Sequence, residues 1–154
     1  MQTRRDTLAQ GALVMGLLAA TGLFPSYALA LGRYNQQAFG AKSLADTFKA
    51  LGVGVPTESK DVVLVAPEIA ENGSVVPLSA STSLPGVQQI LFLVEKNPAV
   101  LVAAFEVSDR VEASFAIRSK MAESSNVYAV ALLRDGKAFF AKKEVKVTLG
   151  GCGG

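Results

Sequence analysis

The chain of 154 residues has no histidine, no tryptophan and a single cysteine, and these absences exclude several kinds of site. Without histidine it cannot contain a Ser/His/Asp triad, a Cys/His nucleophile pair or a histidine-ligated metal. One cysteine cannot close a disulfide within the chain, and it cannot supply a cysteine-rich zinc or iron–sulfur site. We therefore expect neither a metal site nor a resident cofactor.

The excess of one sign of charge is also small, since 15 Lys and Arg residues are balanced by 13 Asp and Glu residues. The formal net charge of +2 is too small to indicate a nucleic-acid-binding surface. Three acidic residues, Asp109, Glu112 and Glu123, lack a recognisable pairing motif, and we interpret them as solvated surface. A hydrophobic content of 50% is typical of a folded domain. The sequence thus predicts a folded protein without a catalytic centre of its own.

The first thirty residues have the layout of a bacterial export signal. Arg4 and Arg5 form a charged start, an uncharged run covers residues 11–24, and Ala28 and Ala30 suit cleavage after Ala30. The run is shorter than the about 20 residues of a membrane-spanning helix, so no stable membrane anchor is expected. The arginine pair resembles the twin-arginine motif, which directs cargo that folds before export. We expect a periplasmic protein that is exported by the twin-arginine route. The general secretory route is the alternative for export, and an uncleaved N-terminal anchor is the alternative to a cleaved signal.

Residues 31–149 are predicted to form one domain, mostly β with a short N-terminal helix. Residues 35–51 have apolar side chains at helical spacing, with Ser43 as an N-cap and Gly52 as the stop. From Lys60 onward the apolar period changes to two, and turn signals separate about seven short runs. This pattern predicts an immunoglobulin-like β-sandwich. The candidate strands are Lys60–Ala66, Ser74–Ser81, Val87–Glu95, Val100–Val107, Val111–Ser119, Asn126–Arg134 and Lys137–Val147.

Two local features of the sequence constrain the arrangement of these strands. Asp135 and Gly136 tolerate positive φ and lie between two alternating runs, which predicts a hairpin. Pro77 has no amide hydrogen for a strand ladder, so its strand is predicted to be bulged or at a sheet edge.

The single cysteine lies in the C-terminal run Gly150-Gly151-Cys152-Gly153-Gly154. Glycine has no side chain to dock and is costly to order, so residues 150–154 are predicted to form a mobile arm that spans roughly 17 Å when extended. An unpaired thiol in an exported protein is expected to be reactive or intermolecular. The arm therefore suggests a thiol that other proteins act on.

Three other uses of the C-terminus stay open. Cys152 could join two chains through a disulfide, as in a structural or adhesive sandwich protein. The Gly-Gly-Cys run could be an added conjugation tag. The terminal Gly153-Gly154 pair could form a thiocarboxylate, as in ubiquitin-like sulfur carriers, although those act in the cytoplasm.

Four features are distinctive together: the twin-arginine-like start, the segments Lys42–Gly52 and Ala66–Gly73, and the glycine-flanked cysteine at the end. In these features the sequence resembles the SoxY family, the sulfur-carrier subunits of bacterial thiosulfate oxidation. This resemblance implies an immunoglobulin-like sandwich that pairs with a smaller β-sandwich subunit, SoxZ, and is exported as a folded heterodimer. It also implies that Cys152 is the covalent attachment site for sulfur, with arm flexibility and access provided by Gly150, Gly151, Gly153 and Gly154.

The resemblance further implies a division of chemistry among partner proteins. A c-type cytochrome, SoxAX, would conjugate thiosulfate to the thiol, and a dimanganese hydrolase, SoxB, would release the terminal sulfone as sulfate. In some organisms a sulfane dehydrogenase, SoxCD, would oxidise the remaining sulfur. The chain itself would bear the substrate without transforming it.

Overall fold

The computed structural model describes residues 35–151. Several predicted site residues lie outside this range and stay predictions: Arg4, Arg5, Ala28, Ala30, Cys152, Gly153 and Gly154. Among the described residues, no helix is both long and apolar enough to cross a membrane.

The predicted N-terminal helix is two short helices, α1 (Gln36–Gly40) and α2 (Leu44–Ala50). Ser43 begins α2, and its hydroxyl accepts a hydrogen bond from the Asp46 amide at 3.1 Å. This cap requires extended backbone, and Ser43 has φ −138° and ψ 158°, so the residue that starts α2 also interrupts a continuous helix. Gly52 ends α2 with φ 68°, which confirms the predicted stop.

Nine strands follow the helices, and seven of them match the predicted runs. Both additional strands are short, with two and four residues, and neither has a clear apolar alternation. The strands are β1 (Thr57–Glu58), β2 (Val62–Val65), β3 (Ile69–Asn72), β4 (Val76–Thr82), β5 (Val87–Val94), β6 (Leu101–Glu106), β7 (Ser114–Ser119), β8 (Ser125–Leu133) and β9 (Ala138–Leu149).

The strands form two sheets, which confirms the predicted immunoglobulin-like sandwich. The larger sheet has the order β1-β9-β8-β5-β6, and the smaller has the order β2-β4-β7. β8 and β9 pair antiparallel through the predicted Asp135-Gly136 hairpin, where Gly136 has φ 83°. β9 extends beyond its pairing with β8, and there it pairs in parallel with β3. This extension brings the C-terminal end of the chain to β3.

Apolar side chains cover both faces of the larger sheet. Ile90 and Phe92 of β5 face the smaller sheet in a cluster with Leu78. Leu91 and Leu93 face the opposite side, where the two helices pack on them. Residues 90–94 of β5 are therefore buried on both faces, which explains why this part of the strand is a continuous apolar run without alternation.

Pro77 corrects the prediction for its strand, because β4 is the central strand of the smaller sheet. β2 pairs only with residues 79–82 of β4, whereas β7 pairs with residues 76–81. Pro77 thus has a neighbouring strand on one side only, opposite Arg118. The missing amide hydrogen is tolerated at this position because β2 ends before reaching it.

Candidate functional site

The end of β9 is held by two parts of the domain before the chain reaches its terminal glycines. β3 pairs with it in parallel, so that Asn72 lies opposite Leu149. The Ser124 hydroxyl accepts a hydrogen bond from the Val147 amide at 2.9 Å. The predicted carrier arm therefore leaves the domain from a fixed strand.

Three backbone hydrogen bonds connect Gly73, Met121 and the chain from Leu149 to Gly151. The Gly73 amide donates to the Leu149 carbonyl at 2.7 Å, and the Gly73 carbonyl accepts from the Met121 amide at 2.7 Å. The Met121 carbonyl accepts from the Gly151 amide at 2.8 Å. Each bond of this kind contributes about 1 kcal/mol net. We call this arrangement of Gly73, Met121, Leu149, Gly150 and Gly151 the glycine clasp.

Glycine is required in the clasp because the backbones approach too closely for a side chain. A β-carbon at Gly73 would meet the Met121 carbonyl oxygen and would lie 2.7 Å from the Gly151 nitrogen. A β-carbon at Gly151 would meet the Gly73 carbonyl, and one at Gly150 would meet the Ala122 carbonyl oxygen. None of the three glycines has positive φ. Space, and not backbone conformation, therefore selects glycine at these positions.

The partner segment of the clasp is itself held in place. Met121 is fully buried in the core between the sheets. On either side of it, the Asn97 side chain accepts from the Ala122 amide at 3.1 Å and donates to the Lys120 carbonyl at 2.8 Å. The clasp is thus built on a segment whose position is fixed by both packing and hydrogen bonds.

Comparison with known proteins identifies the family. A family model described as sulfur oxidation protein SoxY matches residues 48–152, which include every residue of the clasp. The chain belongs to the SoxY family. No match was found among curated protein sequences.

Solved structures agree with this assignment. The sulfur carrier protein SoxY from Chlorobium limicola f thiosulfatophilum is 37% identical, with 71% of this chain and 96% of that chain covered and a TM-score of 0.62. A superoxide reductase (neelaredoxin) variant from Ignicoccus hospitalis is 18% identical, with coverages of 64% and 86% and a TM-score of 0.50. The second similarity concerns the fold alone.

The glycine clasp contains two of the predicted arm residues, Gly150 and Gly151. The sequence predicts mobility from Gly150 onward, whereas Gly150 and Gly151 lie in backbone contact with the domain. Rotation at either glycine requires these contacts to open, and their role as flexible joints stays a prediction. Cys152, the predicted attachment site, follows Gly151 in the chain and lies outside the described residues.

Sequence reasoning missed Gly73 and Met121 as elements of the site. Asn72-Gly73 carries a turn signal, and the Asn72 side chain does accept from the Ser74 amide at 2.8 Å, as in a turn. Gly73 also permits the close approach of the Gly151 backbone, and no local sequence pattern indicates this second role. It depends on residues far away in the sequence.

Asp109 and Glu123 are exposed and lie in surface ion pairs. No group of three or more Cys, Asp and Glu residues that could hold a metal occurs in residues 35–151. Asp109 forms an exposed ion pair with Arg134 at 2.5 Å, and Glu123 forms one with Lys96 at 3.9 Å. Exposed pairs of this kind contribute little to stability.

Tyr128 is the described tyrosine with a displaced pKa. Partial burial raises this pKa above its ordinary value, and the negative charge of Glu95 raises it further. The Tyr128 hydroxyl donates to Glu95 at 3.2 Å. The neutral phenol is therefore favoured.

A groove of about 540 Å³ lies on the smaller sheet. Its lining is mostly apolar, and Arg118 is its one charged lining residue. The remaining lining residues are Val65, Ala66, Pro67, Pro77, Leu78, Ser79, Ala116 and Ile117.

Proposed function

We propose that this SoxY-family chain is a sulfur carrier that holds sulfur-oxidation intermediates covalently on the thiol of Cys152. The observation that carries the proposal is the family match, which extends to residue 152 and so includes the single cysteine. The anchored Gly151 supports the same reading, because it joins this cysteine directly to the domain. The site then consists of one thiol at the end of a rigid sandwich.

The proposed substrate is thiosulfate, and the chemistry begins with an oxidative conjugation. The thiol loses its proton, its sulfur bonds to the outer sulfur of thiosulfate, and two electrons pass to an acceptor. Water then attacks the terminal sulfone, which leaves as sulfate, and a persulfide remains on Cys152. A protein without histidine can hold each of these species, but it lacks the usual general base for transforming them.

Partner proteins would supply the reactive centres. The resemblance supports a heterodimer with SoxZ, the c-type cytochrome SoxAX as electron acceptor, the hydrolase SoxB and, in some organisms, the dehydrogenase SoxCD. The chain would contribute the covalently bound sulfur and no cofactor of its own. We place this system in the periplasm, in keeping with the signal-like residues 1–30.

Peptide mass spectrometry of the protein purified from thiosulfate-grown cells tests the carrier assignment. We expect a sulfur-containing adduct on the peptide that includes Cys152, and we expect dithiothreitol to remove it. The chemical reason is that a sulfur–sulfur bond is cleaved by thiol exchange. Cells grown without reduced sulfur compounds provide the control.

Other results would identify a different function. Modification of the Gly154 carboxylate instead of Cys152 would indicate a ubiquitin-like sulfur carrier. A dimer on a non-reducing gel, with no adduct under either growth condition, would indicate a structural disulfide through Cys152. Either result would reject the proposed function.

Export is tested by replacing both arginines of the signal with lysine, R4K together with R5K. If the twin-arginine route is used, uncleaved precursor should accumulate in the cytoplasm, because the receptor reads this arginine pair as an address. Cell fractionation and immunoblotting measure the distribution, and N-terminal sequencing of the wild-type mature protein should begin at Leu31. Unchanged export of the variant would indicate the general secretory route.

A further inference from the structure

The glycine clasp joins three distant parts of the chain at the point where the cysteine arm begins. Gly73 follows β3, Met121 lies in the connection between β7 and β8, and Gly151 follows β9. All three meet through main-chain groups, and their contacts leave no room for a β-carbon at Gly73 or Gly151. Such a constraint exceeds what is needed to end a strand, since strands in general end without it.

We propose that the clasp is a positioning device that presents Cys152 from a fixed point on the domain surface. Gly73, Gly150 and Gly151 are its positioning residues, because they permit the close backbone approach that anchors the arm. This inference rests on the proposed function for the use made of the thiol. The geometric part, an anchored arm, is independent of which chemical group the thiol carries.

Anchoring changes the reach of the arm. While the Gly151 amide is bonded to Met121, Gly151 is the last anchored residue. One residue step of roughly 3.8 Å then separates its α-carbon from that of Cys152. If the clasp opened, the fixed point would move back to Leu149, and two more residues would extend the reach by roughly 7 Å. A partner enzyme that accepts the thiol from the closed clasp must therefore approach the surface around Gly73 and Met121.

The surroundings of the clasp favour the closed form. Asn97 holds both neighbours of Met121, and Met121 is anchored in the core, so the acceptor for the Gly151 amide cannot move freely. Ser124 and β3 hold the last residues of β9, so the donor side is also fixed. The donor and the acceptor of the Gly151 hydrogen bond are thus both positioned by their surroundings, which reduces the entropy lost when the bond forms.

The test is to open the clasp from the arm side with G151A. Its methyl group would meet the Gly73 carbonyl, and the variant should fold because the change lies after the last strand. A matched control, G40A, adds the same methyl group far from the arm, where a β-carbon meets nothing. A second variant, G73A, opens the clasp from the domain side and leaves the arm sequence unchanged, with G54A as its control because a β-carbon at Gly54 meets nothing.

The position of the arm is measured by NMR with a nitroxide spin label attached to Cys152 in the full, ¹⁵N-labelled chain. The label broadens the signals of nearby amides. In the wild type we expect paramagnetic broadening concentrated on amides around Gly73 and Met121. In G151A and G73A the broadening should spread over a wider surface, and exchange protection of the residue-151 amide should fall by about tenfold, as loss of one hydrogen bond predicts. The two controls should behave as the wild type.

A second measurement compares the rates at which a small and a bulky maleimide label Cys152. The ratio of bulky to small labelling should increase in both clasp variants, because a longer free arm moves the thiol away from the domain. A ratio is used because a change in the reactivity of the thiol itself affects both reagents alike. A merely structural role for the glycines would change stability and leave this ratio unaltered.

The proposal is rejected if G151A loses amide protection at residue 151 while the broadening pattern and the labelling ratio stay as in the wild type. It is also rejected if the wild-type label broadens amides over the whole surface. Neither outcome affects the adduct on Cys152. Conversely, absence of that adduct with a localised label would reject the proposed function and leave the anchored arm in place.

Discussion

Replacement of Cys152 by serine is expected to reduce thiosulfate-dependent electron transfer to background while the domain folds as before. Serine preserves the size of the side chain, but its hydroxyl cannot form the sulfur–sulfur bond that would hold the substrate. The clasp ends at Gly151, so its hydrogen bonds do not depend on the side chain of residue 152. Loss of function should therefore be separate from any loss of stability.

The measurement is complementation of a strain that lacks this gene, followed by electron-transfer assays with thiosulfate and by thermal unfolding of the purified variant. Alkylation of the wild-type protein with iodoacetamide should reproduce the loss, because Cys152 is the chain's single thiol. G40A serves as the matched variant, because it keeps the thiol and leaves the arm unchanged. Full activity of C152S in the complete system would contradict the carrier function.

A second large effect is expected at Phe92, where F92A should lower the free energy of unfolding by about 3–5 kcal/mol. Phe92 is fully buried in the centre of β5. Its ring packs edge-to-face on Phe105, with 6.1 Å between the ring centroids. Phe105 in turn stacks on Phe115 of the smaller sheet, with 4.6 Å between the centroids. Removal of the Phe92 ring would leave a cavity in the cluster that joins the two sheets.

Urea unfolding, followed by circular dichroism, measures this change. F92L should lose less stability than F92A because it fills more of the cavity, and it serves if F92A fails to fold. V55A is the surface control, since Val55 is 95% exposed and its change should lie within about 0.5 kcal/mol. A loss in F92A as small as that in V55A would contradict the packing described for the core.

Most of the β structure could be predicted because seven of the strands lie in runs long enough to show a pattern. β7 illustrates this: Phe115 and Ile117 pack on the core, while Ser114 and Arg118 face outward, as the alternation indicates. The hairpin at Gly136 and the caps of α2 could also be predicted, since each depends on residues a few positions apart. Short-range stereochemistry is sufficient for such features.

The missed features depend on contacts between distant segments. β1 and β3 have too few residues to show a period, and each exists as a strand because β9 supplies the hydrogen-bonding partner. The position of Pro77 in a central strand became acceptable only because β2 is short. No local pattern reports the length of a neighbouring strand.

The sequence by itself determined the kind of chemistry that is possible: one thiol near the C-terminus, no histidine, and a β-rich domain to carry it. Only the tertiary structure decided where that thiol is attached. Gly150 and Gly151 by composition indicate mobility. Gly151 is held because Met121 accepts its amide hydrogen next to Gly73, and Gly150 lies against the Ala122 carbonyl. The physical reason is that glycine permits both freedom and close approach, and the surrounding backbone selects between the two.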